Sequence, residues 1–541
     1  MRVADFFCGG GGFSEGFRQA GFDIVFAVDK WEPAVKTYMG NKPGVNVIQD
    51  DVIRISNLPD DEFDALVPDT EVIIGSPPCQ SFSNSNRSGN CDKSLGIQLV
   101  EAYLRIIARK KFKQGSILRY WVLENVPAVR RFIKDQYTAK DLGLDGDFVL
   151  RPHDGAAGVY NAKYFGAPTN RKRYLCGEFP KPVATKVDSN VTTLGQVLDS
   201  LGDPLRSDNE FIVDINYPDL SLRAQQVTDQ HYIYELTEFE YKKIKRLKQD
   251  KGYMGQMALP ENLDKPARTV MANMTSSSRE SMVLGNGIDR YRLPTVREAA
   301  TMMSFPMDYW FYGESRGIKH TLVGNAVPPK MSYAVAVAIA KEENERIPSR
   351  YIPIHHDLNN DELPFINLNG AHFDTREEQP RRLTSKFKYH IPYLIIDAYR
   401  VELTNYHSDF DNGKYLWEVE IHHGQGKNKA KVFTPNITMW AMPAQFKESI
   451  REYIAHIKRW VPDMKTFQSV FCMTAEERSW QKYLGPYELL DSVKRFIETT
   501  FSPEEQKEYV QFGDEPTAVP LAIAAGYLIL KRTVTSMGRL Q

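Results

Sequence analysis

A cysteine follows a short apolar run in Gly75-Ser76-Pro77-Pro78-Cys79-Gln80-Ser81-Phe82-Ser83. The two prolines stiffen the backbone ahead of it, and mostly polar residues follow through Gly96. A thiol held at a strand's end, with rigid chain before it and pliant chain after it, is placed as a nucleophile. A carboxylate ends a second apolar run, in Leu123-Glu124-Asn125-Val126-Pro127. Glu124 would serve as a cap or an ion-pair partner in many folds. Projected into the crevice of Cys79, it can donate or share a proton. The third feature is Phe7-Cys8-Gly9-Gly10-Gly11-Gly12-Phe13. Glycine lets the backbone turn tightly and approach a ligand, and Gly-rich strand-to-helix turns receive nucleotide-like cofactors. No Gly-Lys-Ser/Thr follows, and Phe13 and Ser14 stand where a dinucleotide fingerprint needs small residues. A plain tight turn explains the run equally well. Asp29 ends the next apolar run, at the distance where an acid can hold two ribose hydroxyls.

The elements that must position these groups alternate. Val3–Phe7, Ile24–Val28, Glu71–Gly75 and Tyr120–Leu123 read as strands, and Phe13–Ala20 has helical spacing. Fully apolar strands separated by helical stretches predict a mostly parallel, doubly wound α/β sheet through residue 340. Such sheets gather ligands and catalytic groups at the strands' carboxyl ends. Each of the four runs ends in a polar or nucleophilic group, so topology and chemistry agree.

Composition sets the outer limits. The 541 residues make two or three domains, and 42% apolar with 25% charged residues exclude a wholly disordered chain. The 68 Lys+Arg balance 69 Asp+Glu, so any basic surface is local. Cys8, Cys79, Cys91, Cys176 and Cys472 form neither a disulfide framework nor a C-x-x-C zinc pair. All but Cys79 read as small buried hydrophobes. The chain opens on a strand rather than a signal peptide, and the apolar run Ala518–Leu530 is too short to span a bilayer. A soluble cytoplasmic protein without membrane contact is expected.

In this order the motifs resemble the DNA (cytosine-5)-methyltransferases of prokaryotes and phages. The resemblance rests on Asp5-Phe6-Phe7-Cys8-Gly9-Gly10-Gly11-Gly12-Phe13, Pro78-Cys79-Gln80-x-Phe82-Ser83 and Glu124-Asn125-Val126. It continues through Tyr164-Phe165-Gly166-Ala167-Pro168-Thr169-Asn170-Arg171-Lys172-Arg173, Arg292-Leu293-Pro294-Thr295-Val296-Arg297-Glu298 with Ser304-Phe305-Pro306, and Val323-Gly324-Asn325-Ala326-Val327-Pro328. It implies a Rossmann-like sheet that uses S-adenosylmethionine. Phe7, Gly9, Gly11 and Gly12 match the cofactor loop, with the aromatic ring stacked on adenine. Asp29 matches the ribose acid and Asp51 the adenine-amino acid, with Asp50 a competing choice. Asn325 lies in the last block, near cofactor and active site. Cys79 matches the nucleophile, and Glu124 and Arg173 the groups that hold the target cytosine. Arg171 matches the same segment, with a base contact, a phosphate contact and a structural ion pair all open. Thr169 stands where the family carries glutamine, which implies altered loop or phosphate contacts and retained chemistry.

The resemblance further implies that Cys79 adds to carbon 6 of a cytosine flipped out of double-stranded DNA, and that carbon 5 then takes the methyl group. It places the catalytic domain at 1–178 and 290–340 and a target-recognition region at 179–289. Ser83 and Arg87 are suited to phosphate contacts after the nucleophile. Lys245, in the basic run Tyr241–Lys248, suits phosphate, and Arg268 or Arg279 can read guanine in a groove. Modification within a restriction-modification system follows, with a cognate endonuclease as genetic partner and a monomeric enzyme. An inactive DNA-binding relative and a nicotinamide oxidoreductase fit less well, since neither needs Cys79 and Glu124. An RNA cytosine methyltransferase remains an alternative, against which stands the long stretch from Arg173 to Arg292.

Residues 341–387, rich in charge and proline, read as a linker. Residues 388–541 read as an accessory α+β domain, with strands at Tyr393–Val401 and Leu416–Ile421 and helices at Lys447–Trp460 and Glu488–Thr499. Asp397, Glu418, Glu420, His422 and His423 form a loose acidic and histidine cluster there, a set that a metal-dependent nuclease uses. The strand lacks the lysine expected of such a nuclease, and alternating carboxylates suit a solvated face. A DNA-contacting or partner-binding role is therefore expected, with no metal bound anywhere.

Overall fold

The computed structural model describes all residues except 79–81, 83–92, 206–209, 250–255, 357–362, 370–377, 425–430, 437–441, 512–517 and 539–541. The chain divides into two compact units, residues 1–235 with 260–374, and residues 236–259 with 375–541.

The first unit is built on a seven-stranded sheet. In chain order its strands are β1 (Arg2–Phe6), β2 (Asp23–Asp29), β3 (Asn46–Gln49), β4 (Val72–Gly75), β5 (Tyr120–Asn125), β6 (Gly158–Asn161) and β7 (Lys172–Glu178). They lie in the order β3-β2-β1-β4-β5-β7-β6. The first five are parallel, and β7 runs antiparallel to β5 and β6. The reversal of strand order between β1 and β4 is the switch point where open α/β sheets bind ligands. Val72–Gly75 and Tyr120–Asn125 are buried along their whole length, as parallel strands covered on both faces must be. The four expected strands therefore form, with ends shifted by one or two residues.

Close packing explains several glycines. The ring of Tyr103 covers Gly75 so tightly that a Cβ there would lie 2.2 Å from it. Gly16, inside helix Gly12–Gln19, lets that helix meet Pro329–Glu342, since a Cβ would stand 2.1 Å from Ser332 Oγ. Part of the expected linker is tied down in this unit. Arg18 Nη2 donates to the Ile352 carbonyl at 2.9 Å, His356 stacks on Trp310 at 3.8 Å between ring centroids, and Asn369 Nδ2 donates to the Val227 carbonyl at 2.7 Å. Charge and proline content predicted loose chain; aromatic and backbone partners hold it instead.

The second unit contains an antiparallel sheet of β8 (Lys388–His390), β9 (Tyr399–Thr404), β10 (Glu418–His423) and β11 (Lys431–Phe433), in that order. The strand expected at Tyr393–Val401 starts later, because Tyr393, Asp397 and Ala398 adopt positive φ of 62°, 46° and 66°, a turn conformation rather than an extended one. Val401, Leu403, Val419 and Ile421 pack into one core with helices Lys447–Ile457, Pro486–Thr500 and Leu521–Met537. Residues 521–530 are all buried, which accounts for the long apolar run. Among the described residues, no helix is long and apolar enough to cross a membrane. The basic helix Glu238–Gln249 also belongs to this unit. Arg246 pairs with Asp491 at 2.5 Å and lies over the Tyr487 ring at 4.5 Å, with Ile244 and Lys248 buried.

Candidate active site

The glycine turn leaves β1 through Phe7, a bulky residue at φ 55°. That region is strained for any side chain but glycine, and strain of this kind gathers at functional sites. Gly9 and Gly11 also have positive φ, of 51° and 80°. A Cβ on Gly9 would meet nothing within 4 Å, so the turn is open above it. Gly11 and Gly12 are enclosed: added Cβ atoms would lie 2.5 Å from Tyr309 Oη and 2.4 Å from the Val327 carbonyl.

Asp29 ends β2 beside the turn. Its Oδ2 accepts from Gly9 N at 2.9 Å and its Oδ1 from Trp31 N at 2.8 Å. Burial pushes its carboxyl above the usual range, and the backbone N–H groups of Trp31 and Gly9 oppose that shift. Asp51 follows β3 as a helix N-cap, accepting from Ile53 N at 2.9 Å and from Lys30 Nζ at 2.9 Å. The Lys30 ammonium lowers its carboxyl pKa. Asp50 instead binds Arg54. Phe7, Gly9, Asp29 and Asp51 are thus all partly exposed at the carboxyl ends of neighbouring strands. Asn325 ends the helix Arg316–Asn325 and is exposed.

A buried network beneath the turn has no counterpart in the sequence motifs. Lys42 Nζ donates to the Gly11 carbonyl at 3.2 Å and to Tyr309 Oη at 2.8 Å, and lies 3.4 Å from Glu15. Tyr309 Oη donates in turn to the Gly10 carbonyl at 2.7 Å. Burial brings the Lys42 ammonium down to about 8, against the opposing charge of Glu15. Nothing local marks either residue, since 267 positions separate them.

Cys79, Ser83 and Arg87 lie outside the described residues. The chain that leads to Cys79 is fixed, because Asn125 Nδ2 donates to the Pro77 carbonyl at 2.8 Å. Glu124, 4% exposed, sits next to it at the end of β5. Its Oε2 accepts from Ser76 Oγ at 2.6 Å. Its Oε1 lies 2.9 Å from Arg173 Nε, an ion pair without hydrogen-bond alignment. Arg173 reaches Glu124 from β7, whose Leu175 pairs with Glu124 in the sheet register. The structure therefore brings Glu124 and Arg173 together and adds Ser76, which the motif contained without a role.

Arg171 points elsewhere. Its guanidinium donates to the carbonyls of Val270, Gly324 and Ala326 at 3.0, 2.9 and 3.0 Å. Through these three bonds it braces backbone. Thr169 is fully buried and donates to the Arg268 carbonyl at 3.1 Å. Arg268 binds Glu261 at 2.7 Å and the Ser281 carbonyl at 2.6 Å, and Arg279 lies 3.4 Å from Glu280. Lys245 is exposed on its helix.

The family model of the C-5 cytosine-specific DNA methylases matches residues 1–341. The protein M.MJ0563P of Methanocaldococcus jannaschii is 30% identical over 355 residues, covering 63% of this chain and 100% of its own. The type II methyltransferase M.MthTI of Methanothermobacter thermautotrophicus is 27% identical over 372 residues, 63% of this chain and 98% of the relative. Among solved structures, the S. pombe Dnmt2 methyltransferase aligns at a TM-score of 0.42 and 18% identity, covering 64% of this chain and 99% of that one.

Proposed function

Since the chain belongs to the C-5 cytosine-specific DNA methylase family, we propose that it methylates a cytosine flipped out of a specific double-stranded DNA sequence, through a covalent bond from Cys79 to ring carbon 6. It is a DNA (cytosine-5)-methyltransferase of the type II kind. The observation that carries the finer reading is Glu124, held between Ser76 and Arg173 at the carboxyl end of β5.

Carbon 5 of cytosine is too weak a nucleophile to take a methyl group unaided. Addition of the Cys79 thiolate to carbon 6 makes carbon 5 enamine-like. Glu124 hydrogen-bonds N3 and the exocyclic amine and offsets charge developing on the ring. Arg173 holds O2. Ser76 and Arg173 fix the Glu124 carboxylate before the base arrives, which lowers the reorganisation that the reaction needs. Loss of the carbon-5 proton then expels the thiolate. Removing the base from the duplex costs a few kcal/mol, and these fixed groups help to offset it.

S-adenosylmethionine, which the family and the fold imply, supplies an electrophilic methyl group when bound. The residues present fit it: the turn is open above Gly9, the Phe7 ring is partly exposed, and the Asp29 and Asp51 carboxylates end adjacent strands. Residues 179–289, apart from 236–259, serve as the target-recognition region. Ser83, Arg87 and Lys245 contribute phosphate contacts, while Arg268 and Arg279 must first leave their glutamates to reach a groove. The enzyme is the monomeric modification component beside a cognate endonuclease.

The test is transfer of tritium from labelled S-adenosylmethionine to mixed genomic DNA and, in parallel, to total RNA. Label at carbon 5 of DNA cytosine, lost in Cys79→Ser, is expected. Label in RNA alone, or full activity of the variant, defeats the proposal.

A further inference from the structure

One face of the sheet in the second unit is polar, yet much of it is buried. Antiparallel pairing sets Glu402 of β9 opposite Glu420 of β10, and Arg400 opposite His422. Alternate residues share a face, so these four lie together while Val401, Leu403, Val419 and Ile421 fill the core behind them. The Glu402, Glu420 and His422 side chains are 9%, 12% and 6% exposed. Alternating carboxylates suit a solvated face, but here they are buried: of Asp397, Glu418, Glu420, His422 and His423 only Glu420 and His422 converge, and Glu402 joins them.

Like charges opposite each other in a sheet repel, and burial makes each one costlier. Arg400 Nε donates to Glu402 Oε1 at 2.6 Å, and Lys388 Nζ to Glu420 Oε2 at 3.0 Å. Glu402 Oε2 is buried and accepts no hydrogen bond, with Lys388 Nζ 3.4 Å away as an ion pair. It lies 3.2 Å from His422 Nε2, which is 2.8 Å from Glu420 Oε2. All three atoms fall within 4.8 Å of one another. Two donors each about 2.1 Å from one ion stand about 3.0–3.4 Å apart at octahedral to tetrahedral angles, close to the two shorter separations.

We propose that Glu402, Glu420 and His422 bind one divalent transition-metal ion. Two carboxylates and one imidazole suit Mn2+ or Zn2+ better than Mg2+ or Ca2+. The ion takes the place of the Lys388 ammonium between Glu402 and Glu420, and that side chain, 33% exposed, has a way out to solvent. Arg400 stays on Glu402 Oε1 and orients the carboxylate from behind. The competing arrangement is a closed ion-pair cluster in which Lys388 and Arg400 balance the two glutamates. In it Glu402 Oε2 meets the Lys388 ammonium at 3.4 Å and the His422 ring at 3.2 Å, without a hydrogen bond from either, whereas a bound ion would coordinate it directly. None of these residues belongs to the methyl-transfer site, so the site stands or falls independently of it.

The 541-residue chain, stripped with chelator, is dialysed to equilibrium against Mn2+ alone and against Zn2+ alone. One ion per chain is expected for at least one of the two metals. Glu402→Gln, Glu420→Gln and His422→Gln should each weaken binding at least tenfold. Lys388→Met, on a partly exposed residue, removes the competing ammonium and should tighten binding several-fold, so the proposal stays testable if a buried variant fails to fold. Methyl transfer by each variant reports that the chain is intact. The site is refuted if neither metal binds to the wild-type chain, or if Lys388→Met and Glu420→Gln leave affinity unchanged.

Discussion

At the residue level, two arginines two positions apart do different work. Arg173 faces Glu124, and Arg171 spans three backbone carbonyls. Strand alternation would put both on one face, but β7 begins at Lys172, so the period does not reach Arg171. The motif located both residues and could not separate them. Substitution to lysine does separate them. Lysine cannot reproduce the planar guanidinium fork, so Arg171→Lys should lose about 2 kcal/mol of stability through unmet buried carbonyls. Arg173→Lys should melt near the wild-type temperature and lose turnover by about tenfold or more. Parallel melting curves and single-turnover rates check this, and equal melting losses would put Arg171 back in contention for the base. Ser76, Lys42 and Tyr309 were illegible for a different reason. Each acts through a partner dozens to hundreds of residues away, and no local pattern encodes such a pairing.

At the level of elements, the turn after β1 is where sequence and structure agree most fully, because glycines and a fully apolar strand carry local signals. Its glycines are nonetheless unequal. Gly9 needs only its φ of 51°, whereas a Cβ on Gly12 meets the Val327 carbonyl at 2.4 Å. Gly9→Ala should cost about 1 kcal/mol and leave a cofactor site of lowered affinity. Gly12→Ala should cost more than 2 kcal/mol and abolish binding, with titration calorimetry against S-adenosylmethionine as the measurement. The strand beneath it also carries a pH signature. Burial raises the Asp5 carboxyl from 3.8 to about 7, against lowering by Ser14 and Lys42. A raised acid stabilises the fold most below its unfolded pKa, and that share fades as pH climbs through the folded value. Between pH 4 and 7 the wild-type first unit should therefore lose stability that Asp5→Asn keeps, by at most about 4 kcal/mol. Melting curves at pH 5 and 8 decide it: curves that shift in parallel for both chains would mean that Asp5 stays ionised.

For the whole molecule, the fold class was legible to residue 340 and the unit boundaries were not. Apolar strands announce a parallel sheet, but the assignment of helix Glu238–Gln249 depends on which core its apolar stripe meets. Its basic composition suggested a solvated or phosphate-facing helix. In the structure Ile244 and Lys248 are buried and Arg246 is bound to Asp491 and Tyr487, all within the second unit. The second unit is therefore discontinuous in sequence, and truncation must respect that. A chain ending at residue 374 keeps the helix without Asp491 and Tyr487, the partners of Arg246, and a helix face stripped of its packing invites association. It should elute as aggregate. The ends of the excursion lie close together, since Glu235 bridges Arg292, Arg292 pairs with Leu284, and Glu261 N donates to the Val283 carbonyl. Strands are about 4.8 Å apart, and a flexible linker of about six residues spans roughly 13 Å. Replacing residues 236–259 with such a linker in the truncated chain should restore a monomer that binds S-adenosylmethionine, as light scattering and calorimetry would report. If the simple truncation is already monomeric and the excised version is not, the helix belongs with the catalytic unit after all.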